Sequence, residues 1–235
     1  MNSFGKFYGV GVGPGDPQLL TLRAVQVLQS VPVIAIPKSR LDRESVAWEI
    51  ARPHCNAGAF LLELELPMTS DQIVLAAAWR EAAAAVLAKL QAGLSVAFIT
   101  LGDPSLYSTY CYLVQELNPQ VPAGIIETIP GISALSLAAA RLNMPLATGD
   151  EPLLILPSAD EIDEHLGFAN LVLMKVSRRL PQLLSKLTEA GKQYVLATRL
   201  GQTGEQIRRQ PELTEIGSEK IDYLSLLLVK NGEGK

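Results

Sequence analysis

A chain of 235 residues, 48% hydrophobic and 19% charged, can fill the core of one large or two small globular domains. Its formal charge of −4 offers no overall attraction to polyphosphate or anionic lipid, which argues against nucleic-acid and membrane partners. Cys55 and Cys111 form neither a disulfide framework nor a metal-ligand set, no segment holds about 18 uninterrupted apolar residues, and MNSFGKFYG lacks a signal-like apolar run, so a cytoplasmic protein with no bound metal is expected.

FYGVGV reads as a buried strand that runs into the turn GVGPGDP, and LLTLRAVQVLQS as a helix packed on a sheet, with Asp16 as its cap and Pro17 at its first position. VPVIAIP is the next strand, RESVAWEIAR a helix, and AFLLELEL an apolar run with partial period-two alternation. PMTSD carries an N-cap signal for the long Ala- and Leu-rich helix QIVLAAAWREAAAAVLAKLQAG, which stops at Gly93. SVAFIT is a strand, LGDPS a turn and LYSTYCYLVQEL a helix, with Cys111 expected in its core-facing side. This β-α alternation implies a mainly parallel sheet with helices on its faces.

A break in composition at NPQVPAG, residues 118–124, suggests a link between domains 1–120 and 121–235. The pattern restarts with strand IIETI, turn PGIS and helix ALSLAAARLN, then strand PLLILP, helix ADEIDEHLG, strand NLVLMKV, helix LPQLLSKLTEAG and strand YVLATRL, closing on YLSLLLV as an antiparallel finish. The expected fold class is α/β, with two small domains and mainly parallel sheets.

In open α/β sheets ligands gather beyond the carboxyl ends of strands, and three turns there are rich in glycine or proline: GVGPGDP, LGDPS and IPGIS. Glycine permits positive φ and close backbone approach, so these turns suit either a ligand or a tight strand-to-helix connection. A dinucleotide fingerprint fails. Read from Gly11, the frame ends on Asp16 instead of glycine, and the second strand ends in PKSR with no acid for a ribose. No G-x-x-x-x-G-K-[ST] loop is present either.

YGVGVGPGDPQLLTL, FITLGDPSLYSTY, ETIPGISA, PLATGDEPLLILP and LVLMK resemble the tetrapyrrole methylases, and within them the precorrin-2 C(20)-methyltransferases of cobalamin biosynthesis. The resemblance spans nearly the whole chain in order. It implies two α/β domains, a homodimer, S-adenosylmethionine folded in the cleft between the domains, and a reduced tetrapyrrole in a trough on the N-terminal side. Carried over by position, Pro14 lies near the cofactor, Leu101, Gly102, Asp103 and Leu106 match the loop holding its methionine part, Ser133 and Ala134 match the small residues after the PG turn, and Met174 and Gly201 match adenosine contacts. The family often has a second glycine before the aspartate of the GDP loop. This sequence has Leu101 there, which makes its contact backbone-only.

Methyl transfer from a sulfonium demands mainly an aligned nucleophilic carbon at near-attack distance. A proton must afterwards leave that carbon, to a carboxylate or to water. Asp16 and Asp103 are the acids in the turns, though an Asp before a helix is also a preferred cap. The substrate's carboxylates call for local cations, and Lys38, Arg40 and Arg43, and Lys175, Arg178 and Arg179, follow strands. Gly13 and Gly15 would let backbone lie close to the substrate. The adjacent His54 and Cys55 read as a helix-end and packing pair, and His165 as a helix-terminal residue. Tyr107 and Tyr110 either edge the cofactor pocket or pack within the domain. The residues leave open another ring carbon, a diphthamide precursor, or a nucleotide-ligand sensor without catalysis.

Overall fold

The computed structural model describes residues 4–38, 45–160, 162–216 and 221–232. The chain divides into two compact units, Met1–Ser133 and Ala134–Lys235.

The first unit runs β1 (Phe7–Gly11), α1 (Leu22–Ser30), β2 (Val33–Lys38), α2 (Val46–Ala51), β3 (Phe60–Glu65), α3 (Gln72–Gln91), β4 (Val96–Thr100), α4 (Tyr110–Leu117) and β5 (Ile126–Ile129). Its strands lie in the order β3-β2-β4-β1-β5 and every pairing is parallel. The period-two alternation of the strands feeds two cores. Phe7, Val96 and Phe98 pack with Val86 and Leu90 of α3 and Leu113 and Leu117 of α4. Val10, Ala97 and Ile99 pack on the opposite face with Val27 and Leu28 of α1 and Ile50 of α2. Burying each such large side chain contributes about 1.5–3 kcal/mol. With both faces covered, the central strands β1 and β4 are almost wholly apolar.

Local chemistry sets the ends of these elements. Asp71 Oδ1 accepts the N–H groups of Ile73 and Val74 at 2.9 and 3.3 Å and starts α3, which stops before Gly93 at φ +78°. Asp16 caps a separate 3-10 turn, Pro17–Leu19, whereas α1 begins one turn later with Thr21 Oγ1 accepting the Ala24 N–H at 3.1 Å. The helix expected from Leu106 begins only at Tyr110. Before it, Asp103 Oδ1 takes the Ser105 N–H and Ser108 Oγ takes the Tyr110 N–H, so side chains compete for the backbone donors and hold 101–109 as a loop. Cys111 is exposed, a correction to its expected core position: α4 buries Tyr110, Leu113 and Leu117, and that spacing turns Cys111 outward.

The division between the units falls after Ser133, not at residue 120. β5 is added to the open edge of β1, with Phe7 opposite Ile126, and buries Ile129 in the same core as Val10. The Pro- and Gly-containing stretch is therefore a crossover within one sheet.

The second unit runs α5 (Ala134–Leu142), β6 (Leu153–Leu156), α6 (Ile162–His165), β7 (Asn170–Met174), α7 (Leu180–Glu189), β8 (Lys192–Thr198), β9 (Gln206–Arg209), α8 (Leu213–Ile216) and β10 (Ser225–Asn231). The order is β6-β7-β10-β8-β9. β6 and β7 are parallel, while β10 lies antiparallel between β7 and β8, and β9 runs antiparallel to β8. Three of the five strands, β6, β7 and β8, thus share a direction, and the closing apolar strand sits at the centre of the sheet. Leu180, Leu183, Leu184 and Leu187 of α7 cover Leu171, Leu173, Leu227 and Val229.

Candidate functional site

β1 lies between β4 and β5, so the three turns at their carboxyl ends are neighbours. Gly13 N–H donates to Gly102 O at 3.3 Å and Gly102 N–H returns a bond to Gly13 O at 2.8 Å, an antiparallel bridge between the first two turns. Both residues hold positive φ, +78° and +70°. The third turn is locked in by contact: a Cβ on Gly131 would lie 2.2 Å from Gly102 O and 2.8 Å from the Gly11 carbonyl carbon. Glycine here serves turn-to-turn packing as well as φ. At Gly102, by contrast, no atom lies within 4 Å of an added Cβ, so this turn faces open space.

Asp103 ties the second turn to the third. Its Oδ1 accepts Ser105 N–H at 2.8 Å and its Oδ2 accepts Gly131 N–H at 2.9 Å. Asp16 Oδ1 accepts Gln18 N–H at 2.8 Å and acts as a cap. Pro14 and Gly15 are buried, and Leu101, Leu106 and Ser133 half-buried, around the same turns. Beneath them Tyr110 packs in the core, its hydroxyl 2.8 Å from Thr128 Oγ1, and burial raises its pKa above the usual phenol value. Tyr107 is exposed with φ +50°.

In the second unit, Met174 ends β7 and Gly201 follows β8. Both strand ends flank the start of β10, where Met174 pairs with Leu226 and Thr198 with Ser225. Gly201, at φ +74°, donates its N–H to Glu205 Oε2 at 2.6 Å, and Glu205 Oε1 accepts Arg141 Nε of α5 at 3.0 Å. Arg199, at φ +51°, donates from Nε to Thr203 O at 3.1 Å and pairs with Asp222 at 3.2 Å. Ala134 opens α5.

The basic residues are less gathered. Lys175, at φ +54°, and Arg178 are exposed just past β7, Arg179 pairs with Asp160 at 2.8 Å, and Lys38 pairs with Glu63 of the neighbouring strand at 2.7 Å. Arg40 and Arg43 lie outside the described residues. Cys55 Sγ lies 3.3 Å from Ala51 O, and burial pushes its thiol pKa up to about 11. His54 ends the short 3-10 turn after α2, and His165 meets Phe168 edge-on. The sequence alone singles out neither Arg141 nor Glu205, and Gly131 only as part of the IPGIS turn. Glu205 carries a local signal, an acid four residues after a loop glycine, but nothing in the sequence joins it to Arg141, 64 positions away.

Residues 6–216 match the model of the Tetrapyrrole (Corrin/Porphyrin) Methylases. A probable cobalt-precorrin-2 C(20)-methyltransferase of Methanocaldococcus jannaschii is 34% identical over 227 residues, covering 96% of each chain. A precorrin-2 C(20)-methyltransferase of Sinorhizobium sp is 31% identical over 239 residues, covering 96% of this chain and 95% of that one. The fold is that of the uroporphyrin-III C-methyl transferase of Thermus thermophilus solved with S-adenyl homocysteine, at TM-score 0.66 and 22% identity over 97% of this chain and 98% of that one. With the model matched over most of its length and the three turns in sequence order at strand ends, the chain belongs to the tetrapyrrole (corrin/porphyrin) methylases.

Proposed function

We propose that this chain transfers the methyl group of S-adenosylmethionine to carbon 20 of precorrin-2 or its cobalt complex, in cobalamin biosynthesis. The observation that carries the reading is similarity over 95% or more of both chains to two relatives whose names give the same ring position. One of those names specifies cobalt and the other does not, so the metal form is left to the assay.

The site chemistry suits this donor. The open space at Gly102 leaves room for a ligand edge against backbone, where any side chain would intrude. When bound, S-adenosylmethionine supplies a methyl already made electrophilic by its sulfonium. The residues we assign to it are Pro14, Leu101, Gly102, Asp103, Leu106 and Ser133 in the first unit and Ala134, Met174 and Gly201 in the second. Gly13 and Gly15, with Lys38, Arg40, Lys175 and Arg178, serve the carboxylate-rich tetrapyrrole. The protein's contribution is positioning: bridged turns of fixed geometry hold the reacting carbon in line without reorganising. Both oxygens of Asp103 accept backbone N–H groups and Asp16 Oδ1 accepts that of Gln18, so these carboxylates anchor turns, and we assign the proton leaving carbon 20 to water.

The same reading makes the protein a cytoplasmic homodimer. Met68, Ile73 and Val74, exposed before and at the start of α3, offer apolar surface for a second copy. Among the described residues no helix is long and apolar enough to cross a membrane. Incubation with S-adenosylmethionine and precorrin-2, with and without cobalt, tests the activity. A product heavier by one methyl at carbon 20 supports the proposal, whereas methylation at another carbon refutes the position and cofactor binding without turnover refutes the activity.

A further inference from the structure

We infer that Glu205 is a positioning residue for the cofactor, setting the Gly201 turn through a carboxylate bridge from Arg141. This rests on the reading of Gly201 as an adenosine contact. The turn after β8 holds a non-glycine residue, Arg199, in the left-handed region at φ +51°, a costly conformation, while Gly201 takes φ +74° as glycine readily can, so neighbours must hold the turn in this shape. Glu205 does this with both oxygens. Oε2 takes the Gly201 N–H at 2.6 Å, and Oε1 takes Arg141 Nε at 3.0 Å. The Glu205 N–H in turn donates to Gln202 O at 3.0 Å and closes the loop on itself.

Arg141 stands in the last turn of α5, the helix that begins at Ala134. Seven residues of helix rise about 10 Å. One rigid rod thus carries Ala134 at one end and the anchor of the Gly201 turn at the other, so two of the residues assigned to the cofactor are set by the same element. The Glu205 side chain is about one quarter exposed, and Arg141 nearly half. The ion pair itself is therefore a weak tether, and the bond to Gly201 N–H is the stronger link. The bridge tunes where a backbone contact sits. It takes no part in the methyl transfer and touches no reacting atom.

The test is calorimetric titration of Glu205→Ala, Glu205→Gln and Arg141→Ala with S-adenosylhomocysteine, together with steady-state kinetics. Gln keeps an oxygen to accept the Gly201 N–H, so Glu205→Gln should bind within about threefold of the parent, while Glu205→Ala should lose about tenfold. Arg141→Ala leaves the carboxylate on the Gly201 N–H and removes only the weak tether, so it should fall between the parent and Glu205→Gln. KM for S-adenosylmethionine should follow the same order while kcat at saturation stays within about twofold, a split that general destabilisation does not produce. Equal binding by parent and Glu205→Ala overturns the inference and leaves the methyltransferase reading intact. If Glu205→Ala fails to fold, Glu205→Gln and Arg141→Ala decide alone: binding by Arg141→Ala weaker than by Glu205→Gln overturns it. Absence of binding by the parent chain refutes the underlying cofactor reading instead.

Discussion

Gly131→Ala tests whether the three turns act as one packed unit. Real Cβ contacts essentially never fall below 3.0 Å, and this one would begin 2.2 Å from Gly102 O, so the turns must separate by at least 3.0 − 2.2 = 0.8 Å. Both atoms at the clash are constrained, because Gly102 O also accepts Gly13 N–H and Gly131 N–H is held by Asp103. Overpacking costs about 1–3 kcal/mol, and stretching the charge-assisted bond to Asp103 adds about 1.5–3 kcal/mol. A loss of about 3–5 kcal/mol lowers the melting temperature by about 6–20 °C in a chain of this size. Gly102→Ala is the comparison: its Cβ meets nothing, so only the positive φ of +70° is penalised, about 1–2 kcal/mol. Differential scanning fluorimetry should order the melting temperatures parent, Gly102→Ala, Gly131→Ala. S-adenosylhomocysteine titration should show Gly102→Ala losing more affinity than its modest destabilisation explains, because its methyl enters the open space. If Gly131→Ala melts within about 2 °C of the parent, the turns are not packed as described.

The two thiols should differ sharply. At pH 8 an alkylating reagent should modify the exposed Cys111 quickly and spare Cys55, whose pKa of about 11 keeps it a thiol; two equivalents reacting at equal rates would contradict its burial. Asp103→Ala removes acceptors from two backbone donors at once, so it should lower both melting temperature and cofactor affinity, whereas a variant with parental stability would show that the Ser105 and Gly131 N–H groups need no partner. Glu151 titrates below the usual carboxylate range because Thr148 N–H and hydroxyl and the Asn170 amide all donate to it. A lowered folded-state pKa gives stability that is present above the ordinary value of about 4.3 and lost as pH falls through the lowered one. The melting-temperature gap between parent and Glu151→Gln should therefore close on acidification, and a gap that widens would reverse the sign.

The strand-helix alternation was legible because the buried strands are short apolar runs and α3 and α7 carry clear periodicity or composition. Element starts were less so. Asp16 and Thr21 are both caps, and choosing between them needs to know that Pro17–Leu19 forms its own turn. The domain boundary was misplaced because NPQVPAG reads as a linker, whereas the pairing of Phe7 with Ile126 is a long-range fact. β9 was unforeseen for the same reason: QIRR is polar and becomes a strand only by lying on β8. At the site, the three glycine-rich turns were visible one by one, but their mutual contact depends on the strand order β4-β1-β5. That order changes the meaning of the glycines. Gly11 and Gly131 are small for each other's backbone, while Gly102 opens onto free space.

The most direct test of the account is a single-turnover reaction with methyl-labelled S-adenosylmethionine and precorrin-2 in metal-free and cobalt forms, with the product read by NMR. One label at carbon 20, in at least one metal form, is the expected result. A label at any other ring carbon, or no transfer to either form by a protein that binds S-adenosylhomocysteine, would contradict the proposed function.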